Sequence, residues 1–296
     1  MKRLFLLTIV LTMLVGSASA QFGSQWRKLR EEVIFGVGTT NFMGELGGAD
    51  QVGTHYARDF EFSFTRPLVS AGYRYKLNKS FSAKGLLSFG MLYGDDATTA
   101  EIHRNSRNLS FRSPVLELGG HIEYHIIKEK FGHRYDLRRN RGKSNTPSLY
   151  IFTGVNGIWF NPKAQYQDEW VALQPLGTEG QGRVDTREPY SRISMSFPVG
   201  FGMNFLMDRN WGVGFEWGVR YAITDYMDDV STTYVDPELF GDDEVARALA
   251  DRSKNDWPGS TPYSQRGNSN YNDAYMFLTI NVTYKLRPSG PGMPKF

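Results

Sequence analysis

Between Ser191 and Tyr226 two alternating runs flank the tight turn Met207-Asp208-Arg209-Asn210, and no other feature of the chain narrows the choice of fold so far. In the first run Ile193, Met195, Phe197, Val199, Phe201, Met203 and Phe205 share one parity, and Ser194, Ser196, Pro198, Gly200, Gly202 and Asn204 take the other. The second sets Trp211, Val213, Phe215, Trp217, Val219, Tyr221 and Ile223 against Gly212, Gly214, Glu216, Gly218, Arg220, Ala222 and Thr224. A period of two marks a strand with two unlike faces, so the stretch is expected to form a long β-hairpin. Each arm exceeds ten residues. Strands of soluble sheets are commonly about five or six residues long, whereas a membrane-spanning strand takes about nine to eleven.

The aromatics sharpen the expectation. Trp211 and Tyr221 lie ten residues apart on the apolar face. A rise of ~3.3 Å and a tilt of ~45° separate them by about 23 Å along a membrane normal, close to the ~25 Å apolar band of an outer-membrane barrel. They are expected in the two aromatic girdles, with the small and charged face lining the lumen.

The same period recurs along the chain. Val33, Phe35, Val37 and Thr39 oppose Ile34, Gly36 and Gly38 in a first strand to about Asn41, and further strands are expected at 67–77, 81–94, 113–127, 148–161 and 273–286. The fifth, 148–161, alternates least clearly. With the hairpin this makes eight strands, an all-β, antiparallel, up-and-down transmembrane barrel over 33–287. Connections one, three, five and seven (42–65, 95–112, 162–189 and 227–272) are long, whereas 78–80 and 207–210 are short turns. Short turns belong in the periplasm and long loops outside, which places both termini and the connection 128–147 in the periplasm. A soluble lipocalin-like barrel also has eight strands, but would turn this apolar face inward.

The N-terminus has the order of a secretory signal: Lys2-Arg3, an apolar core from Leu4 to Val15, then Ala18-Ser19-Ala20 before Gln21. Cleavage near Ala20 would leave a short periplasmic segment, 21–32, ahead of the barrel and a Pro/Gly-rich tail, 288–296, behind it, in the outer membrane of a Gram-negative bacterium. The chain has no cysteine, so neither a lipid anchor on cysteine nor a disulfide framework is available. Without Lys2 and Arg3 the formal charge falls from +3 to +1, no basis for a nucleic-acid partner. No nucleotide loop, nucleophile elbow or zinc spacing occurs, and no cofactor, metal or catalytic residue is expected.

Two groups of residues remain as candidate sites. Arg74, Lys76, Lys84, Glu117, His121, Glu123, His125, Glu216, Arg220 and Lys285 have lumen parity. They are expected to pair into a charge network, since an eight-stranded barrel is filled by side chains; His121-x-Glu123-x-His125 alone is a weak metal or acid–base signal. Lys128, Lys130, Arg134, Arg138, Arg139, Arg141 and Lys143 make the periplasmic connection more basic than a turn requires, a candidate docking surface. The carboxylates between Asp225 and Asp256 lack calcium-loop spacing and are expected to be solvated, and Glu238–Leu249 to form a short helix.

Two stretches carry a resemblance: Gly36-Val-Gly-Thr-Thr-Asn-Phe-Met-Gly-Glu-Leu-Gly-Gly48, and Thr54-His-Tyr-Ala-Arg-Asp-Phe60 leading into Arg66-Pro67 and Ala71-Gly-Tyr-Arg-Tyr-Lys-Leu77. They resemble the PorG-like outer-membrane barrels of the Bacteroidetes. The resemblance implies a non-catalytic accessory or anchoring component of the type IX protein secretion system, docking the periplasmic ring of PorK and PorN, with outer-membrane lipid as its surroundings. The alternative function is a small outer-membrane channel or a surface-binding barrel for small apolar ligands.

Overall fold

The computed structural model describes residues 29–46, 64–99, 101–129, 147–208, 210–254 and 261–286. Eight long antiparallel strands close on themselves: β1 (Glu31–Met43), β2 (Arg66–Lys76), β3 (Phe81–Asp95), β4 (Ser110–Ile127), β5 (Ser148–Phe160), β8 (Ile193–Leu206), β9 (Trp211–Ala222) and β10 (Ala274–Leu286). Each pairs with the next, and β10 returns to β1 in a continuous register from Glu31↔Leu286 to Met43↔Ala274. A short hairpin, β6 (Lys163–Tyr166) and β7 (Glu169–Ala172), rises from the β5–β8 connection and touches β4 at Arg112↔Lys163. Two small helices, α1 (Ile102–Arg107) and α2 (Glu244–Ala250), lie in the β3–β4 and β9–β10 connections.

The alternation in the sequence becomes a difference between outside and inside. Phe35, Val37, Leu118 and Ile193 are 60–71% exposed on the outer surface, whereas the lumen neighbours Glu117, His121, Glu123 and Ser196 are 0–1% exposed. A soluble barrel would bury the first set and expose polar residues. This inverse arrangement is that of a membrane-spanning barrel. Trp211 and Tyr221 both project outward, at 51% and 50% exposure. Trp211 packs on Tyr284 across β9 and β10 with ring centroids 4.7 Å apart, and Tyr221 stands opposite Phe197 on β8. No described helix is long and apolar enough to cross a membrane.

Besides small shifts at strand ends, such as β4 beginning at Ser110 where 113 was expected, the structure differs from the sequence expectation in three places. β1 begins at Glu31, so Glu32 enters the lumen instead of belonging to a periplasmic segment. The fifth connection, expected as a long loop, contains the short hairpin of β6 and β7. The helix expected over Glu238–Leu249 is broken: a 3-10 turn, Pro237–Phe240, stops at Gly241 with φ of 54°, and α2 starts afresh where the Asp243 side chain accepts from Ala246 N. The proposed signal peptide, residues 21–28 and the tail 288–296 lie outside the described residues.

Candidate functional site: a bridged lumen and its cap

The half of the lumen towards the short turns holds a set of paired charges. Arg74 on β2 donates from Nη1 to Glu32 Oε2 at 3.0 Å and from Nη2 to Glu123 Oε1 at 2.9 Å and Tyr150 Oη at 3.1 Å. Lys84 pairs with Glu216 at 2.6 Å and Glu123 at 3.3 Å, and Tyr150 Oη donates to Glu216 Oε2 at 2.9 Å. At the mouth, Lys76 and Lys285 share Glu32 and Glu129. Arg220 Nε lies 3.7 Å from Glu117. Among the described residues, the five cations Arg74, Lys76, Lys84, Arg220 and Lys285 thus meet five carboxylates, Glu32, Glu117, Glu123, Glu129 and Glu216. A buried charge without a partner is expensive, and a balanced set avoids that cost.

Two of these contacts cross the full barrel. β3 and β9 are four places apart around the eight-strand ring, as are β4 and β10. The Lys84–Glu216 pair spans the first diameter, and Tyr275 Oη donating to Glu117 Oε2 at 2.7 Å spans the second. The second bridge ends a chain of donors: His121 Nε2 to Asn156 Oδ1 (2.8 Å), Asn156 Nδ2 to Ser196 Oγ (3.3 Å), and Ser196 Oγ to Tyr275 Oη (2.9 Å). Bonds running one way along a chain polarise one another. His125 is held separately, between Ser82 Oγ and Ser148 Oγ, each at 2.9 Å.

Room for these side chains comes from the glycines of the central hairpin. A methyl group on Gly200 or Gly218 would strike the Phe152 ring, and one on Gly202 the Tyr150 ring. Small residues on β8 and β9 therefore let two large β5 aromatics into the lumen.

Towards the long loops the filling becomes apolar. Phe42, Leu68, Leu92, Phe111, Val115, Ile158, Phe160 and Phe277 form one buried cluster with Leu46, Leu109, Leu173, Met227, Val230 and Leu249 of the connections. Phe42 and Phe111, three strands apart, meet edge to face at 4.9 Å. The expectation of a lumen lined by the small and charged face holds for the other half and is corrected here, where the filling is apolar. β5 alternates poorly in sequence because Tyr150, Phe152, Ile158 and Phe160 fill the inside while Ile151, Val155 and Trp159 face out.

The four long connections fold together over this plug. Glu179 of the third accepts from Ser231 N and Thr232 N of the fourth, each at 2.9 Å, and pairs with Arg266 at 2.9 Å. Arg107 of the second binds Asp96 at 2.7 Å and donates to the Glu45 carbonyl of the first at 3.0 Å. Asp228 accepts from Leu46 N at 3.3 Å and Val230 N at 3.0 Å, and Asp273 from Met227 N at 2.8 Å. Carboxylates outnumber cations in this layer. Burial pushes Asp225 up to about 8, with Ser231 opposing and Glu45 and Glu179 adding to it. Burial likewise raises Glu45 to about 7 against the pull of Arg107, and Asp229 to about 6 against Arg266. Asp228 and Asp273 are raised well above the ordinary range by burial and by neighbouring carboxylates.

This corrects the expectation of a solvated acidic loop for Asp225, Asp228 and Asp229, which are buried. Glu238, Asp242 and Glu244 are exposed, Asp236, Asp243 and Asp251 partly so, and Asp256 lies outside the described residues. All ten lumen residues singled out in the sequence are buried inside the barrel, eight of them in ion pairs and His121 and His125 held by neutral hydrogen-bond partners. Sequence reasoning missed Glu32, Glu129, Tyr150 and Tyr275. Glu32 was legible in principle, since it continues the lumen parity of Ile34 and Gly36. Of the basic connection, Lys128 is exposed after β4. Lys130, Arg134, Arg138, Arg139, Arg141 and Lys143 lie outside the described residues. Among the described residues no group of three or more His, Asp or Glu is placed to hold a metal ion.

Among solved structures the chain is similar to Neisserial surface protein A (8% identity, 86% of this chain and 97% of the other, TM-score 0.38). It is similar also to the attachment invasion locus protein Ail of Yersinia pestis in complex with the heparin analogue sucrose octasulfate (10%, 88% and 99%, TM-score 0.37). OprG from Pseudomonas aeruginosa is a third (8%, 88% and 97%, TM-score 0.38). The closed barrel itself is established by the chain's own strand pairings. No curated protein matches the sequence. The family described as "Domain of unknown function (DUF6089)" matches residues 2–240, and the chain belongs to that family.

Proposed function

We propose that the protein is a non-catalytic, non-conducting barrel of the Gram-negative outer membrane that acts as an anchor. The observation that carries this reading is the pair of hydrogen-bonded bridges across both lumen diameters. An open channel needs a lumen free of them, and a transport role would have to break buried ion pairs at each passage. An anchor, in contrast, gains from a rigid interior. The resemblance to PorG-like barrels extends the proposal to an accessory role in type IX secretion, with PorK- and PorN-like ring proteins docked on the periplasmic side.

Reconstitution of the full-length protein in planar bilayers tests the reading. The expected record is flat, without resolved conductance steps. Regular steps that disappear with the inserted protein would turn the assignment to the small-channel alternative.

A further inference from the structure

The outer surface carries one further pattern, at the ends of β3, β4, β5 and β8 that face the cap. Arg112 on β4 lies two outward positions beyond Leu116, with Tyr93 of β3 opposite it on one side and Lys163 of β6 on the other. Its guanidinium lies over the Trp170 ring of β7, 4.0 Å from the centroid. The Arg66 guanidinium lies 4.1 Å over Tyr93 in the same way. Arg192, exposed immediately before β8, donates from Nη1 to Asn161 Oδ1 at 3.3 Å. Below this row are the lipid-facing Phe89, Leu116, Trp159 and Ile193.

None of Arg112, Lys163 and Arg192 forms an ion pair among the described residues. The nearby carboxylates are engaged or turned elsewhere: Asp95 accepts from Tyr93 Oη at 3.0 Å and caps the turn at Ala97 N, and Glu169 is on the exposed hairpin tip. A guanidinium stacked on an aromatic ring keeps its edge N–H groups free, and that edge matches two oxygens of a phosphate. Tyrosine and tryptophan at such a boundary sit at headgroup depth. Among the described residues the outward positions at this end of β9, β10 and β1 hold no Lys or Arg, so the row is one-sided.

We infer that Arg112, steadied by Trp170, together with Lys163 and Arg192, forms a docking strip for the phosphates of a phosphorylated glycolipid in the outer leaflet beside the barrel. The inference rests on the outer-membrane reading above. It adds a lipid partner and a preferred side of the barrel for that partner.

The test uses the full-length protein inserted in phosphatidylcholine vesicles and then extracted with diphosphoryl or dephosphorylated lipid A, with bound lipid counted by native mass spectrometry. Each cation near an anionic surface is worth about fivefold in affinity. The triple variant R112Q/K163Q/R192Q is therefore expected to hold diphosphoryl lipid A about a hundredfold more weakly, down to the level of the dephosphorylated lipid. Lys128→Gln, at the opposite end of the barrel, should leave binding unchanged. Equal retention by the triple variant, or an equal loss with Lys128→Gln, would overturn the strip while leaving the outer-membrane reading intact. Failure of the wild-type chain to insert would overturn both.

Discussion

Arg74→Met is expected to destabilise the barrel by about 3–5 kcal/mol, because removing one member of a buried ion pair strands its partners. Arg74 satisfies Glu32, Glu123 and Tyr150 at once, and methionine fills most of the volume while supplying no donor. Glu32 keeps Lys76, and Glu123 keeps Lys84, but the set then carries one carboxylate in excess. The double variant R74M/E123Q restores the balance and is expected to recover a large part of the loss, as interacting residues are not additive. Lys128→Met, on an exposed side chain, should stay within about 0.5 kcal/mol. Urea unfolding in detergent micelles, followed by the mobility shift of the folded barrel on unheated gels, measures all three. A loss below about 1 kcal/mol for Arg74→Met would mean that the lumen is wet enough to solvate the stranded carboxylates.

The second large effect concerns pH and the cap. Glu45, Asp225, Asp228 and Asp273 hold protons more tightly when the cap is folded than when it is open. A raised carboxylate value means that the folded form binds more protons, so stability falls as pH rises. The decline begins above the ordinary carboxylate range and is complete for Asp225 only past its value of about 8. Amide hydrogen exchange over 227–235, corrected for the intrinsic rate, should therefore show stronger protection at pH 5.5 than at pH 8. Asp225→Asn removes one of the competing charges, and should raise protection at pH 8 while flattening the dependence. Protection unchanged between the two pH values, in both proteins, would contradict a cap that folds over protonated carboxyls.

The barrel was legible in the sequence because its physics is local. A lipid-facing strand must show apolar residues at alternate positions, and β8 does so from Ile193 to Phe205, as does β4 from Leu116 to Ile126 with only Gly120 interrupting. The lumen charges were legible for the same reason, since Glu117, His121 and Glu123 can only point inward once Leu118 and Ile122 point out. What escaped depends on contacts distant in sequence. Nothing around Tyr150 announces that Glu216, 66 residues away, accepts its hydrogen bond, or that Gly202 leaves space for its ring. The cap escaped for a related reason: an aspartate in a loop has a solvated default, and buried Asp228 accepts from the backbone of Leu46, 182 residues distant. The missed β6–β7 hairpin has strands of four residues, too short for a period of two to stand out.

Lipid outside this barrel and packed side chains, not water, inside it follow from the exposed apolar face and the buried lumen residues. The chain has no cysteine, so single thiols can report on both surfaces. Val37→Cys and Leu118→Cys place a thiol on the outer face, and Ser88→Cys and Thr279→Cys place one in the lumen, where the native residues are 1% and 8% exposed. In lipid vesicles, the outer pair is predicted to react with a membrane-soluble maleimide and not with a charged, water-soluble one, and the lumen pair with neither. Rapid reaction of the lumen thiols with the charged reagent would mean a water-filled pore. Its reaction with the outer pair would mean that the apolar surface does not meet lipid at all.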